Sequence, residues 1–416
     1  MKRLIFHVDV NSAFLSWEAT RRVREGGEDI RLIPSAIGGD RDKRTGVILA
    51  KSIPAKKYGI KTGEPVSQAL RKCPGLYLAR PDFLLYERYS RLFMDICREY
   101  APVVEKYSID ECFLDMSGTE KIYPDIVATA YELKDAIKER LGFTVNVGVG
   151  SNKLLAKMAG DFEKPDKVHT LFEDEIETKL WHLPVRELFS VGASTADKLE
   201  NACIITIGDL ARLDIGILRS LVGNKLGDQL WAYANGIDDS EVLAQPEKAK
   251  GYSNSTTLDS DVMDAQTAYN ILLALVDTTA SRMRADGVRA YCIGVTIRGN
   301  DFKDRSHQRK LTEANDITED IFKQCKQLFD ELWDRKTPLR LLGVSLTNVT
   351  DEYEQQISLF DDGRKEKKRM LDKTVDDIRS RFGVNTITRG ANCDGGYNIG
   401  KKHKAQMETK KDKNNK

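Results

Sequence analysis

The chain has 416 residues, 41% hydrophobic and 31% charged, enough apolar content for the cores of two to four domains. Seven cysteines, at 73, 97, 112, 203, 292, 325 and 393, are odd in number and form no CxxC pair, which argues against a disulfide framework or zinc knuckle and fits a reducing cytoplasm. Net charge is only +1, and the lysine-rich residues 401–416 carry +5 against −4 for residues 1–400, so overall charge does not announce a nucleic-acid binder. No apolar run is long enough for a signal peptide or a membrane span.

Residues 4–10, Leu-Ile-Phe-His-Val-Asp-Val, read as a buried strand that would fix Asp9 near its end. An Asp capping the next segment is the competing reading, because Asn11 and Ser12 are cap and turn residues. Helical spacing covers 15–25, and glycines and prolines cut 26–79 into short elements carrying Lys51, Lys56, Lys57 and Lys61 around Tyr58. Such cations suit a triphosphate; a solvated helix face is the plainer account. Residues 82–100 form an amphipathic helix with Asp82 as cap and Leu85, Tyr89, Leu92, Phe93 and Ile96 on its apolar side.

The stretch YSIDECFLD, 107–115, sets Asp110 and Glu111 side by side among strand formers, a costly place for charge unless a cation or hydrogen bonds receive it. Strand neighbours point to opposite faces, so both acids serve one site only where the backbone bends. Hard divalent ions such as Mg²⁺ take such oxygen ligands; a solvated loop tip is the alternative. A helix at 127–141, a strand at 144–150 and a helix capped by Ser151 or Asn152 and ending before Pro165 follow. Residues 172–240 are helical, with a turn at Val191-Gly192 before Ser194, Thr195 and Lys198 that resembles a helix-hairpin-helix or a plain pair of helices. A polar tether covers 241–250. Strands near 252–258, 289–298, 305–311 and 339–349 and helices near 264–286 and 316–334 give a βαββαβ order, an antiparallel sheet backed by two helices. Arg298, Lys303, Arg305, Arg309 and Lys310, with Ser253, Ser255 and Thr256, would track phosphates, or the charges protect an edge strand. Gln356-Ile357-Ser358-Leu359-Phe360 is an apolar anchor in a polar stretch, followed by a basic helical patch, 364–381, and the lysine-rich tail.

VDVNSAF at 8–14 together with YSIDECFLD resembles the Y-family DNA polymerases, the translesion group that includes DNA polymerase IV and UmuC-type proteins, over residues 1 to about 349. The resemblance implies an α+β multidomain right hand. Its parts are a palm with a ferredoxin-like sheet (1–15 and 80–171), small fingers (16–79), a helical thumb with a helix-hairpin-helix (172–240), a linker (241–250), a βαββαβ little finger (251–350), and a clamp-binding motif with a largely flexible basic tail (351–416). It further implies that Asp9, Asp110 and Glu111, with the Val10 carbonyl, hold two Mg²⁺ or Mn²⁺ ions, and that Phe14 is the steric gate against a 2′-hydroxyl. Lys56 and Lys164 would meet the triphosphate. Gly192, Ser194, Arg298, Arg305 and Arg309 would meet DNA, and Gln356, Ile357, Leu359 and Phe360 a sliding clamp. The implied partners are primer-template DNA, dNTP and the clamp, for a monomeric, nucleoid-associated cytoplasmic enzyme of low-fidelity translesion synthesis.

Two departures stand out. IPAKK at 53–57 replaces a tyrosine with Ile53 and an arginine with Lys56, which lacks a bidentate fork, and Ser190 replaces the first glycine of a G-V-G turn. The extension beyond the clamp motif leans toward the UmuC-type subgroup. Two other readings stay open: another palm-type two-metal nucleotidyl enzyme, such as a cyclase, or a catalytically weak DNA- and clamp-binding adaptor.

Overall fold

In β1 (Ile5–Val10) five of six residues are buried, as in a central strand covered on both faces. The computed structural model describes residues 3–39, 46–352, 364–383 and 386–390, and the chain divides into two units at Pro246 and Glu247.

In the first unit, α1 (Ala13–Arg24) follows β1. Next come β2 (Ser35–Gly38), β3 (Ile48–Lys51), α2 (Ile53–Lys56), α3 (Val66–Lys72) and β4 (Tyr77–Ala79). They form a small sheet, β3-β2-β4, over its own core of Ile48, Ile60 and Val66. α4 (Phe83–Tyr100) starts where the Asp82 side chain accepts from the Leu85 amide at 3.1 Å. Tyr86, Tyr89, Phe93 and Cys97 face the core, while Leu92, expected there, is exposed. The 86, 89, 93, 97 spacing fixes the buried stripe, and Leu92 falls beside it.

β5 (Val103–Lys106), β6 (Glu111–Asp115), α5 (Ile126–Leu141), β7 (Val145–Gly150), α6 (Lys153–Asp161) and β8 (Val168–Leu171) complete the main sheet, in the order β5-β6-β1-β7-β8. β1 runs antiparallel to both neighbours, and β7 pairs parallel with β8. Asn152, not Ser151, caps α6. α6 lies directly on β7, since a Cβ on Gly148 would meet the Ala156 carbonyl oxygen at 1.9 Å. That close approach brings the side chains of α6 to β1 and β6.

α7 (Ala193–Asn201), α8 (Ile207–Ala211), α9 (Ile215–Val222) and α10 (Asn224–Ala234) pack around Leu199, Ile207, Leu218 and Leu230. The hairpin turn expected at Val191-Gly192 is preceded by only a single 3-10 turn, Val185–Glu187. Ser190 adopts φ 74°, the left-handed region that favours glycine. The expected tether starts late: Val242 is buried with Ile5, Phe113 and Ala156, and the Leu243 amide donates to Glu105 at 2.8 Å.

The second unit holds β9 (Gly251–Val262), α11 (Ala265–Ala285), β10 (Arg289–Gly299), β11 (Asp304–Asn315), α12 (Thr318–Leu332) and β12 (Leu339–Thr350), a βαββαβ order. Its sheet is antiparallel throughout, in the order β11-β10-β12-β9. Ile293, Val295, Leu342 and Val344 pack with Ile271, Leu275, Ile321 and Leu328 of the helices.

α13 (Arg364–Phe382) falls on the expected basic helical patch at 364–381, and it is docked on the second unit rather than part of a flexible tail. Ile317, at the N-cap of α12, has no side-chain oxygen, and the buried Asp372 of α13 accepts the Thr318 amide at 2.7 Å instead. Arg379 pairs with Asp277 of α11 at 2.8 Å, and Lys365, Lys368 and Arg369 pair with Glu313, Asp320 and Asp316. The basic patch is therefore spent largely on the protein itself. Residues 353–363, with Gln356 to Phe360, and the tail from 391 lie outside the described residues. Among the described residues, no helix is long and apolar enough to cross a membrane.

Candidate active site

Asp9 and Glu111 face each other in register across β1 and β6, so the two carboxylates share one face of the sheet. The bend needed for Asp110 lies just before β6. Tyr107 and Ser108 both donate their amides to the Glu111 carbonyl at 3.1 Å, and the Asp110 carbonyl accepts from Val10 N at 3.0 Å. Ser108 donates to Asp110 Oδ1 at 2.6 Å and accepts the Glu111 amide at 3.0 Å, which fixes the turn. Thus Asp9, Val10, Asp110 and Glu111 come together at adjoining ends of two central strands.

Lys164 Nζ donates to Asp9 Oδ2 and lies 2.8 Å from Asp161. Burial raises the Asp9 carboxyl above its ordinary value despite the attraction of Lys164. Burial would lower Lys164, but its pairs with Asp9 and Asp161 outweigh that and raise it. Burial alone would likewise raise Glu111, yet hydrogen bonds with His7 at 3.2 Å and Lys157 at 2.7 Å hold it at about 2. His7 and Lys157 therefore favour the ionised form of Glu111.

The donor chemistry fits hard divalent cations: the Asp9 and Glu111 residues pair across the two strands, and Asp110 and Val10 adjoin them in the chain. Asp9 and Glu111 side chains keep 14% and 23% exposure, so they remain reachable from solvent. Among the described residues, no three acidic, histidine or cysteine side chains converge on an ion-holding point as they stand. Lys164 and Lys157 neutralise the two strand carboxylates instead, so ion binding requires those contacts to loosen.

Phe14, in the first turn of α1, stacks on Tyr86 at 4.6 Å and meets Phe83 edge-on at 6.2 Å, so its ring is braced from beneath. In the three-stranded sheet region, Ser52 caps α2 through the Ala55 amide, leaving Ile53 57% exposed. Burial, and then the charge of Lys56, push the Lys51 ammonium down, so the two cations crowd each other there. A Cβ on Gly192 would meet nothing within 4 Å, and Gly192 and Ser194 are exposed at the start of α7.

In the second unit the three arginines separate. Arg305 and Arg309 stand opposite Ile297 and Ile293, on the helix side of the sheet. Arg309 pairs with Glu331 of α12 at 2.7 Å and Arg305 with Asp334 at 3.2 Å. Arg298 pairs with Asp304 on the open side. Thr256, opposite Leu342, also turns to the helices, whereas Ser253 and Ser255 join Ser345 and Gly343 on the open face. The charge run in β11 hid this division, because alternation alone does not say which face the helices cover.

His7, Lys157, Asn11 and Asn146 were not singled out as site residues from the sequence. His7 shares the strand face of Asp9 two residues on, and Lys157 precedes Asp161 by one helical turn; both spacings were available as signals.

Three family models match the chain: the impB/mucB/samB family over residues 8–161, that family's C-terminal domain over 249–359, and a DNA polymerase-iota thumb domain over 186–238. DNA polymerase IV of Clostridium acetobutylicum is 45% identical over 390 residues, covering 94% of this chain and 98% of that protein. DNA polymerase IV of Acetivibrio thermocellus is 35% identical over 394 residues, covering 94% and 97%. A solved Y-family DNA polymerase chimera shares the fold at a TM-score of 0.72 and 23% identity, covering 84% of this chain and 100% of its own. These relatives carry the polymerase IV name, against the lean toward the UmuC type. With the carboxylates paired across two central strands and near-complete coverage of such relatives, the chain belongs to the Y family of DNA-directed DNA polymerases.

Proposed function

We propose that the chain performs translesion synthesis of the polymerase IV kind, joining a dNTP to a primer 3′-hydroxyl at a site where Asp9, Asp110, Glu111 and the Val10 carbonyl hold two Mg²⁺ ions. The observation that carries this reading is the Asp9 to Glu111 register pair beside the Asp110 bend. When bound, such ions lower the pKa of the attacking hydroxyl and stabilise charge on the α-phosphate and leaving pyrophosphate. The raised Asp9 carboxyl supports the same assignment, since it marks a buried acid whose need for positive charge Lys164 only partly meets.

The chain's own residues do the rest. Lys164 and Lys56 attract the triphosphate, with Lys56 acting as a point charge. The braced Phe14 ring closes the pocket under the sugar. Backbone at Gly192 and Ser194 receives a DNA phosphate, and Ser253, Ser255 and Arg298 on the open sheet face line the duplex without reading bases. Arg305 and Arg309, on the helix side with Asp334 and Glu331, do not belong to that surface. Gln356, Ile357, Leu359 and Phe360 supply the peptide for a sliding clamp.

Single-nucleotide primer extension in Mg²⁺ tests the reading through Phe14. The native chain is expected to add a dNTP and almost no rNTP, whereas Phe14→Ala raises rNTP use relative to dNTP by roughly 10²-fold. Equal use of both nucleotides by the native chain would defeat the gate assignment.

A further inference from the structure

The acidic row continues past Asp9. Across β7, Asn146 stands in register with Asp9 and is completely buried. Its Nδ2 donates to the carbonyls of Gly160 at 3.1 Å and Glu163 at 2.6 Å. Its Oδ1 accepts from Asn11 Nδ2 at 3.0 Å and from the Lys167 amide at 3.4 Å. Asn11 Oδ1 in turn accepts the Asp166 amide at 3.0 Å. Four backbone groups flanking Lys164 thus end on two side-chain amides. The outer side of this segment is tied as well, because Asp166 receives Lys134 at 2.9 Å and Lys138 at 2.7 Å.

The amide pattern is specific. Each asparagine both donates and accepts, so neither aspartate nor alanine satisfies all these partners, and a buried carbonyl left without its donor is costly. The segment between Gly160 and Lys167 has no regular ladder of its own around Lys164; the two amides take that place. What they hold still is the one residue of the segment that touches Asp9.

We propose that Asn11 and Asn146 are positioning residues: a two-amide brace that sets the Lys164 ammonium at the catalytic carboxylates, where it meets the anionic triphosphate of the incoming nucleotide. This rests on the polymerase reading above. Neither asparagine touches the nucleotide; both act through the placement of Lys164, and small displacements of a charge-pairing group cost much of its effect.

The test is a double-mutant cycle on the full chain with Asn11→Ala, Lys164→Met and both together. The dNTP Kd is measured on a dideoxy-terminated primer-template, and kcat on an extendable one. Asn11→Ala is expected to weaken dNTP binding about tenfold with kcat changed by less than about threefold, and to have almost no further effect once Lys164 is methionine. Asn146→Ala, which removes the buried half of the brace, follows the same pattern if it folds; partly exposed Asn11 carries the test if it does not. Equal losses with and without Lys164, or a fall in kcat and melting temperature with Kd unchanged, would overturn the brace. A native chain that binds primer-template but never extends it would instead overturn the polymerase reading beneath it.

Discussion

Replacing Asp110 by Asn and Glu111 by Gln together lowers primer extension by at least about 10³-fold, with DNA affinity changed by less than about threefold. The isosteric pair is the right choice here. Glu111 is hydrogen-bonded to His7 and Lys157, and Asp110 to Ser108. Alanine at 111 would strand the Lys157 ammonium, 13% exposed, beside a buried histidine and confuse lost chemistry with lost packing. The amides keep size and an oxygen that can accept the same hydrogen bonds from His7, Lys157 and Ser108, so the change is confined to the lost negative charge. Steady-state extension together with gel-shift titration makes the measurement. Retention of a tenth or more of native activity would mean that these carboxylates do not carry the reaction.

The second large effect is on stability, in the unit that starts at Glu247. Asp372→Ala is expected to cost about 3–5 kcal/mol, because it removes one side of a buried ionic cluster and leaves the others without compensation. Asp372 accepts the Thr318 amide, receives Arg389 at 2.9 Å and lies 3.6 Å from Arg284. Arg379 and Arg389 both pair with Asp277, at 2.8 and 3.1 Å. Without Asp372, the first turn of α12 loses its cap and two arginines lose a partner. Urea unfolding of the full chain reads this as a lower midpoint of one transition at unchanged slope. A midpoint that does not move would show that α13 rests on the sheet-backing helices without supporting them.

Much of the fold could be read from the chain because its elements carry strong local signals. The alternating valines of β7, the Asp82 cap of α4 and the βαββαβ order of the second unit are each local patterns. The bend at Asp110 was legible for a similar reason, since two adjacent acids in a run of strand formers can serve one face only where the backbone turns, whereas the grouping with Asp9 came from the resemblance. What stayed hidden depends on pairing between distant segments. Only the register of β10 with β11 shows that Arg305 and Arg309 face the helices. Only the docking of α13 shows that Asp372 caps a helix 54 residues before it in the chain. The lysines that neutralise Asp9 and Glu111 come from α6 and the loop after it, and nothing local in β1 or β6 announces them.

The central claim is that this row of carboxylates works through divalent ions, and single-turnover insertion of one dNTP across a Mg²⁺ titration tests it most directly. A rate that is nil in chelator, rises with an apparent order near two, and vanishes in the Asp110→Asn, Glu111→Gln chain is the predicted result. Insertion that persists in chelator, or DNA bound by the native chain without insertion at any Mg²⁺ concentration, would contradict it.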